Sequence, residues 1–425
     1  MTNRKGYRKP VIIILTLTMA AALLVAIPAA GAAGNKNGGT TTVSGSGAGA
    51  SVTAGTPVYS ADDLFSKRDL EQAPDLSGAE TLTLASGQDI TVTEAGVYVL
   101  SGTVTGTTVI VEAPDDAKVQ LVLDGVSITN ADFPCIYVKS ADKVFVTVTA
   151  DSSLSVTGAF RKDGSTNTDG VIFSREDLTL NGTAALTISS TDNGIVGKDD
   201  LKVTGGTYAI TAASKCIEAN DSIRIAGGSF TLQAGTDGLH AENNDDASLG
   251  YVYIADGDFA ITAGDDGIHA SSVVQIDGGS FVISASEGIE ATYVQINGGT
   301  LDISARDDGI NAAYKSDFST PAVEINGGDI TITIAQGDTD GIDANGNIVI
   351  NGGTVTVSGN LPFDYDGSGV INGGTVISNG QQVSVLPNQT FGGPGGGWGG
   401  QGGNPGGWGG PGGQGGWGGQ GGRGR

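Results

Sequence analysis

The chain has 425 residues, with 46 acidic against 21 basic side chains, a formal net charge of −25, and 72 glycines against 3 tryptophans and 2 histidines. So acidic a surface excludes nucleic acid, whose phosphates are held by Lys and Arg; it suits a secreted protein in a calcium-rich setting, a basic partner, or solubility alone. The length would allow two or three ordinary domains, but an internal repeat makes one elongated domain the expectation.

Residues 1–33 read as a signal peptide. Arg4, Lys5, Arg8 and Lys9 form a basic region, residues 11–27 are apolar, and Ala30-Gly31-Ala32 is a small-residue cleavage site. Secretion is therefore expected, with a membrane involved only if the segment stays uncleaved, since the apolar run is barely long enough to span. Cleavage would leave a net charge near −29, because the segment holds four positive charges and no negative ones. Residues 34–78 read as a linker and N-terminal segment, Gly/Ser/Thr-rich and without periodicity up to residue 56.

From residue 79 to 387 the chain is built of short apolar alternations. The early ones, ITVTEAGVYVL, TVIVE, VQLVLDGVSIT and VFVTVTA, are irregular, as befits end coils. Regularity begins near Leu178 and is clearest at 274–291, VQIDGGSFVISASEGIEA, which recurs at 223–241, 252–270 and 294–312. Each copy has an alternation, a Gly-Gly turn, a second alternation, an Asp/Glu-Gly turn and a short third alternation. Period-2 patterning means strands with one buried face, and glycine at each corner suggests positive φ. The glycine before the third strand falls at Gly238, Gly267, Gly288 and Gly309, in steps of 29, 21 and 21 residues. Three strands and three corners in so short a repeat make one coil of an all-β parallel solenoid. Residues 388–425 are Gly/Trp-rich, too poor in apolar side chains for a core, and are expected to be disordered.

Parity separates inside from outside. In the third strand Leu239 and Ala241 point inward, so His240 points outward, and the equivalent residues are Glu218, His269, Glu290, Asn311 and Asp343. Two neighbouring histidines among carboxylates could be repeat inheritance, or could contact a metal or a sugar hydroxyl. At the preceding corner stand Asp237, Asp266, Glu287, Asp308 and Asp340, with Asp265 and Asp307 beside them. Asp-Gly is ordinary turn chemistry. A stacked column is not, because like charges ~5 Å apart repel by about 3 kcal/mol at an effective dielectric near 20. A calcium ion, taking six to eight oxygens, would relieve that repulsion; Asp237, Asp265, Asp266, Glu287, Asp307, Asp308, Asp340 and Asp343 are the candidate ligands. At the Gly-Gly corner, Asp277, Asn297, Asn326, Asn351 and Asn372 should form a hydrogen-bonded ladder. Insertions at 242–251 and 314–321 leave the solenoid after the third strand and should wall a binding face. Tyr251, Tyr293 and Tyr314 would give that face its aromatic surface, and His240, His269, Glu290, Asn311 and Tyr314 are the candidate carbohydrate-binding residues. Cys135 and Cys216, at the position taken by Gly170 and Gly194 in the coils between, should lie about three coils (~14 Å) apart, beyond disulfide reach.

The ordered series ITVTEAGVYVLSGTV, VQLVLDGVSITN, IFSREDLTLNG, GKDDLKVTGG and the reiterated DGIHA, DGINA and INGG resembles a family of secreted bacterial carbohydrate-binding proteins, across about residues 82–377. The resemblance implies a right-handed single-stranded parallel β-helix like that of pectate lyases, here of roughly 10–12 coils. It also implies calcium as cofactor and binding of polygalacturonate-type acidic polysaccharide without cleavage; a monomer is expected. Asp237, Asp266, Asp308 and Asp340 match its Asp-Gly pattern; Glu287 departs mildly, and Lys215-Cys216 replaces the motif. Two other classes compete. A calcium-dependent pectate lyase would use a basic side chain such as Arg306 or Lys215, and a structural adhesin would need no site.

Overall fold

In the computed structural model, which describes residues 55–336 and 339–388, the repeat folds as read. The expected signal peptide, the expected linker up to residue 54 and the Gly/Trp-rich tail beyond residue 388 lie outside the described residues. Two parallel assemblies account for nearly all strands. The third strands form one sheet of twelve, and the first and second strands form ladders joined into a sheet of twenty-four. The only helix among the described residues is Ala61–Leu64. This is a solenoid-like, all-β architecture.

Stacking is in register, so each residue meets its equivalent one coil away. Ile276 pairs with Ile296, Phe281 with Leu301 and Ile289 with Ile310. Inward side chains therefore form continuous ladders. Tyr208, Phe230, Phe259 and Phe281 stack with centroids 5.3, 4.6 and 4.6 Å apart. The asparagine ladder forms as expected: Asn297 donates to Asp277 at 2.7 Å, Asn326 to Asn297 at 2.8 Å, Asn351 to Asn326 at 2.7 Å and Asn372 to Asn351 at 2.8 Å.

The two glycine corners do different jobs. At the Gly-Gly corner the second glycine has positive φ, +101° at Gly279 and +92° at Gly299. The Asp/Glu-Gly glycines do not, contrary to the expectation for every corner. There the absent side chain matters instead: a Cβ on Gly288 would sit 2.3 Å from the Gly309 carbonyl of the next coil. In the earliest coils the first corner disappears, and Lys118–Asn130 runs through as one strand pairing with both Lys143–Ala150 and Ser152–Val156. At the other end Thr375–Ser378 pairs antiparallel with Gln381–Val383 and closes the stack.

Second strands alternate exposed and buried, as at Ser280–Ala285, whereas the first strands Tyr251–Ile254, Val273–Ile276 and Tyr293–Ile296 are buried on both faces. Residues 55–72 explain the difference. Rather than trailing as linker, they lie as a strap along the outer face of the first strands. Phe65 of the strap packs with Tyr251, Tyr253, Val273 and Tyr293. Tyr251 and Tyr293, at 5% and 6% exposure, are thus not surface aromatics.

Cys135 and Cys216 are free and fully buried. The register runs Ile136, Ile172, Ile195, Ile217, three steps or about 14 Å; the residues between the cysteines are Val171 and Gly194, not Gly170. Burial pushes both thiols up to about 12. Two thiols should titrate after denaturation without reductant and none before it. The in-register core also predicts that Ile283→Asp, at a fully enclosed position, abolishes the cooperative melt. Thr231→Asp, on the exposed side of the equivalent strand, should change stability by no more than about 0.5 kcal/mol.

Candidate functional site

The outward file of the third strands changes character along the solenoid. It is apolar at Tyr137, Phe173 and Val196, which pack with Phe133, and then runs Glu218, His240, His269, Glu290, Asn311, Asp343. The parity assignment holds, but these groups are not open to solvent: Glu290 and Asn311 are 5% and 9% exposed. They are sunk between the corner acids and the two insertions.

His240 and His269 stack with centroids 4.5 Å apart and planes 11° apart. His269 Nδ1 lies 2.8 Å from Asp266 and 2.9 Å from Glu290. Glu290 also receives Lys315 Nζ at 2.6 Å. His240 lies 2.9 Å from Asp237 through Nδ1 and 3.3 Å from Glu242 through Nε2. A chain of polar contacts thus runs from Glu242, in one insertion, through the stacked imidazoles to Lys315, in the other. Between the insertions is a cleft of about 410 Å³ lined by Asn243, Asn244, Tyr314 and Lys315, among others. Tyr314 is 66% exposed on its wall.

The corner acids have a structural role that turn chemistry did not reveal. Asp237 Oδ1 accepts the Asp266 N–H of the next coil at 3.1 Å, and Asp308 Oδ1 accepts that of Asp340 at 2.9 Å. Asn193 does the same for Lys215 at 3.0 Å without charge, so capping alone does not require acids. Asp237, Asp265 and Asp266 bring carboxylate oxygens within 4.8 Å of one another, as do Asp266, His269 and Glu290 with theirs. The first set is all oxygen and suits a hard cation such as calcium. The second already satisfies itself through His269. Glu287 and Glu290 both receive Asn311 Nδ2, while the buried Oδ1 of Asn311 has no hydrogen-bond donor. Asp307 is exposed, and Asp340 and Asp343 are half-buried in the following coil.

Crowding shows in the proton affinities. Burial, with the charges of Glu290, Asp266 and Asp308, pushes Glu287 up to about 8. Burial, with Asp308 and Asp364, pushes Asp343 up to about 7. Burial opposes a charged imidazole at His269, yet Asp266 and Glu290 outweigh it and hold it at about 9. Glu290, despite burial, is held down by His269 and Lys315, and Asp237, despite burial, by His240 and the Asp266 N–H. A second crowd, unnoticed in the sequence, occupies the corner after the third strand. Burial and mutual repulsion raise Glu176 to about 7 and Asp177 and Asp199 to about 6.

Residues 86–292 and 282–369 match the family model of carbohydrate-binding domain-containing proteins. The chain belongs to that family. A carbohydrate-binding domain-containing protein of Acetivibrio thermocellus is 34% identical over 132 residues, which are 30% of this chain and 46% of the relative, so the chain spans about half of that protein's length. A solved structure, the gadolinium derivative of the polysaccharide lyase-like protein from C. thermocellum, matches 70% of this chain and 88% of its own at 24% identity and a TM-score of 0.38. Among the residues of this carbohydrate-binding domain that sequence reasoning missed, Lys315 and Glu242 are the most consequential. Both sit at insertion boundaries, where no repeat position marks them.

The raised groups make a signed prediction for the metal-free protein. Native Glu287 and Asp343 keep protons that the unfolded chain has released. Native His269 likewise stays charged beyond its unfolded value. Each contribution therefore favours the native state at low pH and is lost as pH rises, through about 7 to 9. In chelator, the melting temperature should fall between about pH 5 and 9, and Glu287→Gln should flatten that slope.

Proposed function

We propose that the protein is a non-catalytic, calcium-dependent binder of acidic, polygalacturonate-like polysaccharide, acting outside the cell. The observation that carries this reading is the trio Asp237, Asp265 and Asp266, whose oxygens lie within 4.8 Å of one another beside the cleft-lining insertions. Calcium there, with Glu287, Asp307, Asp308, Asp340 and Asp343 extending the acidic edge, would remove repulsion that protons and His269 now relieve. An acidic edge on a protein at −25 repels a polyuronate, so affinity at that edge requires cations shared between the two. Tyr314 offers a ring face for a sugar, and Lys315 and Asn243 supply polar groups in the same cleft. The sunken His240, His269, Glu290 and Asn311 would position these groups rather than touch the polymer.

The competing lyase reading needs a free base near the calcium edge. Arg306 donates to the Gly264 carbonyl at 2.7 Å, and Lys215 pairs with Glu218 at 3.5 Å. Both candidate bases are engaged with protein, which favours binding over cleavage.

Titration with calcium should raise the melting temperature, since each site adds about 2.7 kcal/mol of stability at a hundredfold excess over Kd. It should also increase retention on polygalacturonate. Magnesium should do both poorly, because it dehydrates reluctantly. Asp237→Asn with Asp265→Asn keeps the cap that Asn193 shows an amide can make, so the fold should survive while calcium-dependent retention drops. Equal retention in EGTA and in calcium would sink the proposal, and accumulation of unsaturated product would establish the lyase instead.

A further inference from the structure

The strap is held by contacts of an unusual kind for a structural clamp. Its Asp69 carboxylate, 1% exposed, sits between Lys143 Nζ at 2.5 Å and Lys202 Nζ at 3.2 Å. Its Tyr59 ring stacks on Tyr251 at 4.3 Å and 20°. Its backbone is read by side-chain amides. Gln275 accepts from Tyr59 N at 2.7 Å and donates to Tyr59 O at 3.0 Å, and Gln295 accepts from Val58 N at 3.1 Å and donates to Thr56 O at 2.9 Å. Beneath it, Lys202, Arg224, Tyr253, Gln275 and Gln295 form one file across successive coils. Lys143 and Lys202 are the cations that meet the strap's carboxylate, whereas Arg224 is held by Asp200 at 2.7 Å and the file continues from Gln295 to Glu324.

An apolar face would clamp a strap at least as well, since buried ion pairs are often no more stabilising than packed hydrophobic side chains. The groups present are instead those that recognise an acidic sugar polymer: cations for carboxylates, an aromatic ring for a pyranose face, and amides for hydroxyls. We propose that the face under residues 55–72 is a second binding face for acidic polysaccharide, working without calcium, and that the strap is its built-in competitor. Asp69 takes the place of a uronate carboxylate and Tyr59 that of a sugar ring. The strap continues into the solenoid through residues 73–79, so it can peel away while remaining attached. The closed form lowers the apparent affinity by the fraction of molecules that are open. This shares with the calcium-edge reading the polymer class alone, since that edge lies at the third-strand sheet.

The test uses the full-length protein in EDTA throughout, with polygalacturonate as probe and retention in affinity electrophoresis as readout. Tyr59→Ser with Phe65→Asp removes the strap's two aromatic anchors and should increase retention at least tenfold over wild type. Adding Lys143→Gln and Lys202→Gln should erase that gain, and fully methyl-esterified polymer should show none. If the loosened protein melts cooperatively yet binds no better than wild type, or if the glutamine pair leaves the gain intact, the proposal is overturned. Hydrogen exchange on the wild type needs no variant to fold: saturating oligogalacturonate should speed exchange at Val58 and Tyr59 severalfold, and unchanged exchange also overturns it. Because chelator excludes the calcium edge, failure here leaves that reading standing. Loss of calcium dependence in the wild type would count against the edge alone.

Discussion

In-register stacking of parallel strands is the constraint on which the rest of this molecule depends. Each residue meets its own equivalent at about the strand spacing, ~4.8 Å away. Whatever a position does, it does again in the next coil. Apolar positions become ladders such as the Tyr208–Phe281 ring stack, and amides become hydrogen-bonded chains such as Asn297 to Asn372. The same multiplication is unforgiving of a Cβ where coils touch, which is why glycine stands at the Asp/Glu-Gly corner although its φ is unexceptional.

Stacking multiplies charge as well. A column of carboxylates repels itself, and the protein answers with local partners where the repeat is interrupted. His269 bridges Asp266 and Glu290, Lys315 reaches Glu290 from an insertion, and Lys198 and Lys215 meet Glu218. Where burial and neighbouring carboxylates dominate, at Glu287 and Asp343, the groups keep protons to unusually high pH. In the proposed reading, a divalent ion would take the place of those protons at this edge. Sites of this kind sit where the repeat is imperfect.

The strap couples the two halves of this logic. By crossing from Glu324 to Gln120 it contacts many coils at once, and a solenoid otherwise held only by neighbour-to-neighbour contacts gains long-range connection. Its contacts include main-chain hydrogen bonds to Gln275 and Gln295 as well as apolar burial, and the proposed displacement requires those bonds to be reversible.

The sequence by itself determined the repeat, the inside and outside of the second and third strands, the asparagine ladder and the wide separation of Cys135 and Cys216. All of these follow from periodicity, because a stacked repeat converts sequence position directly into spatial position. It did not disclose that residues 55–72 cover Tyr251 and Tyr293, that His240 and His269 are walled in, or that Lys315 and Glu242 close the chain of polar contacts. Those facts depend on segments outside the repeat, whose places are chosen by long-range packing and charge pairing. A period in the sequence carries information only about residues that share it. Where the chain leaves the period, only the folded structure decides which side chains meet.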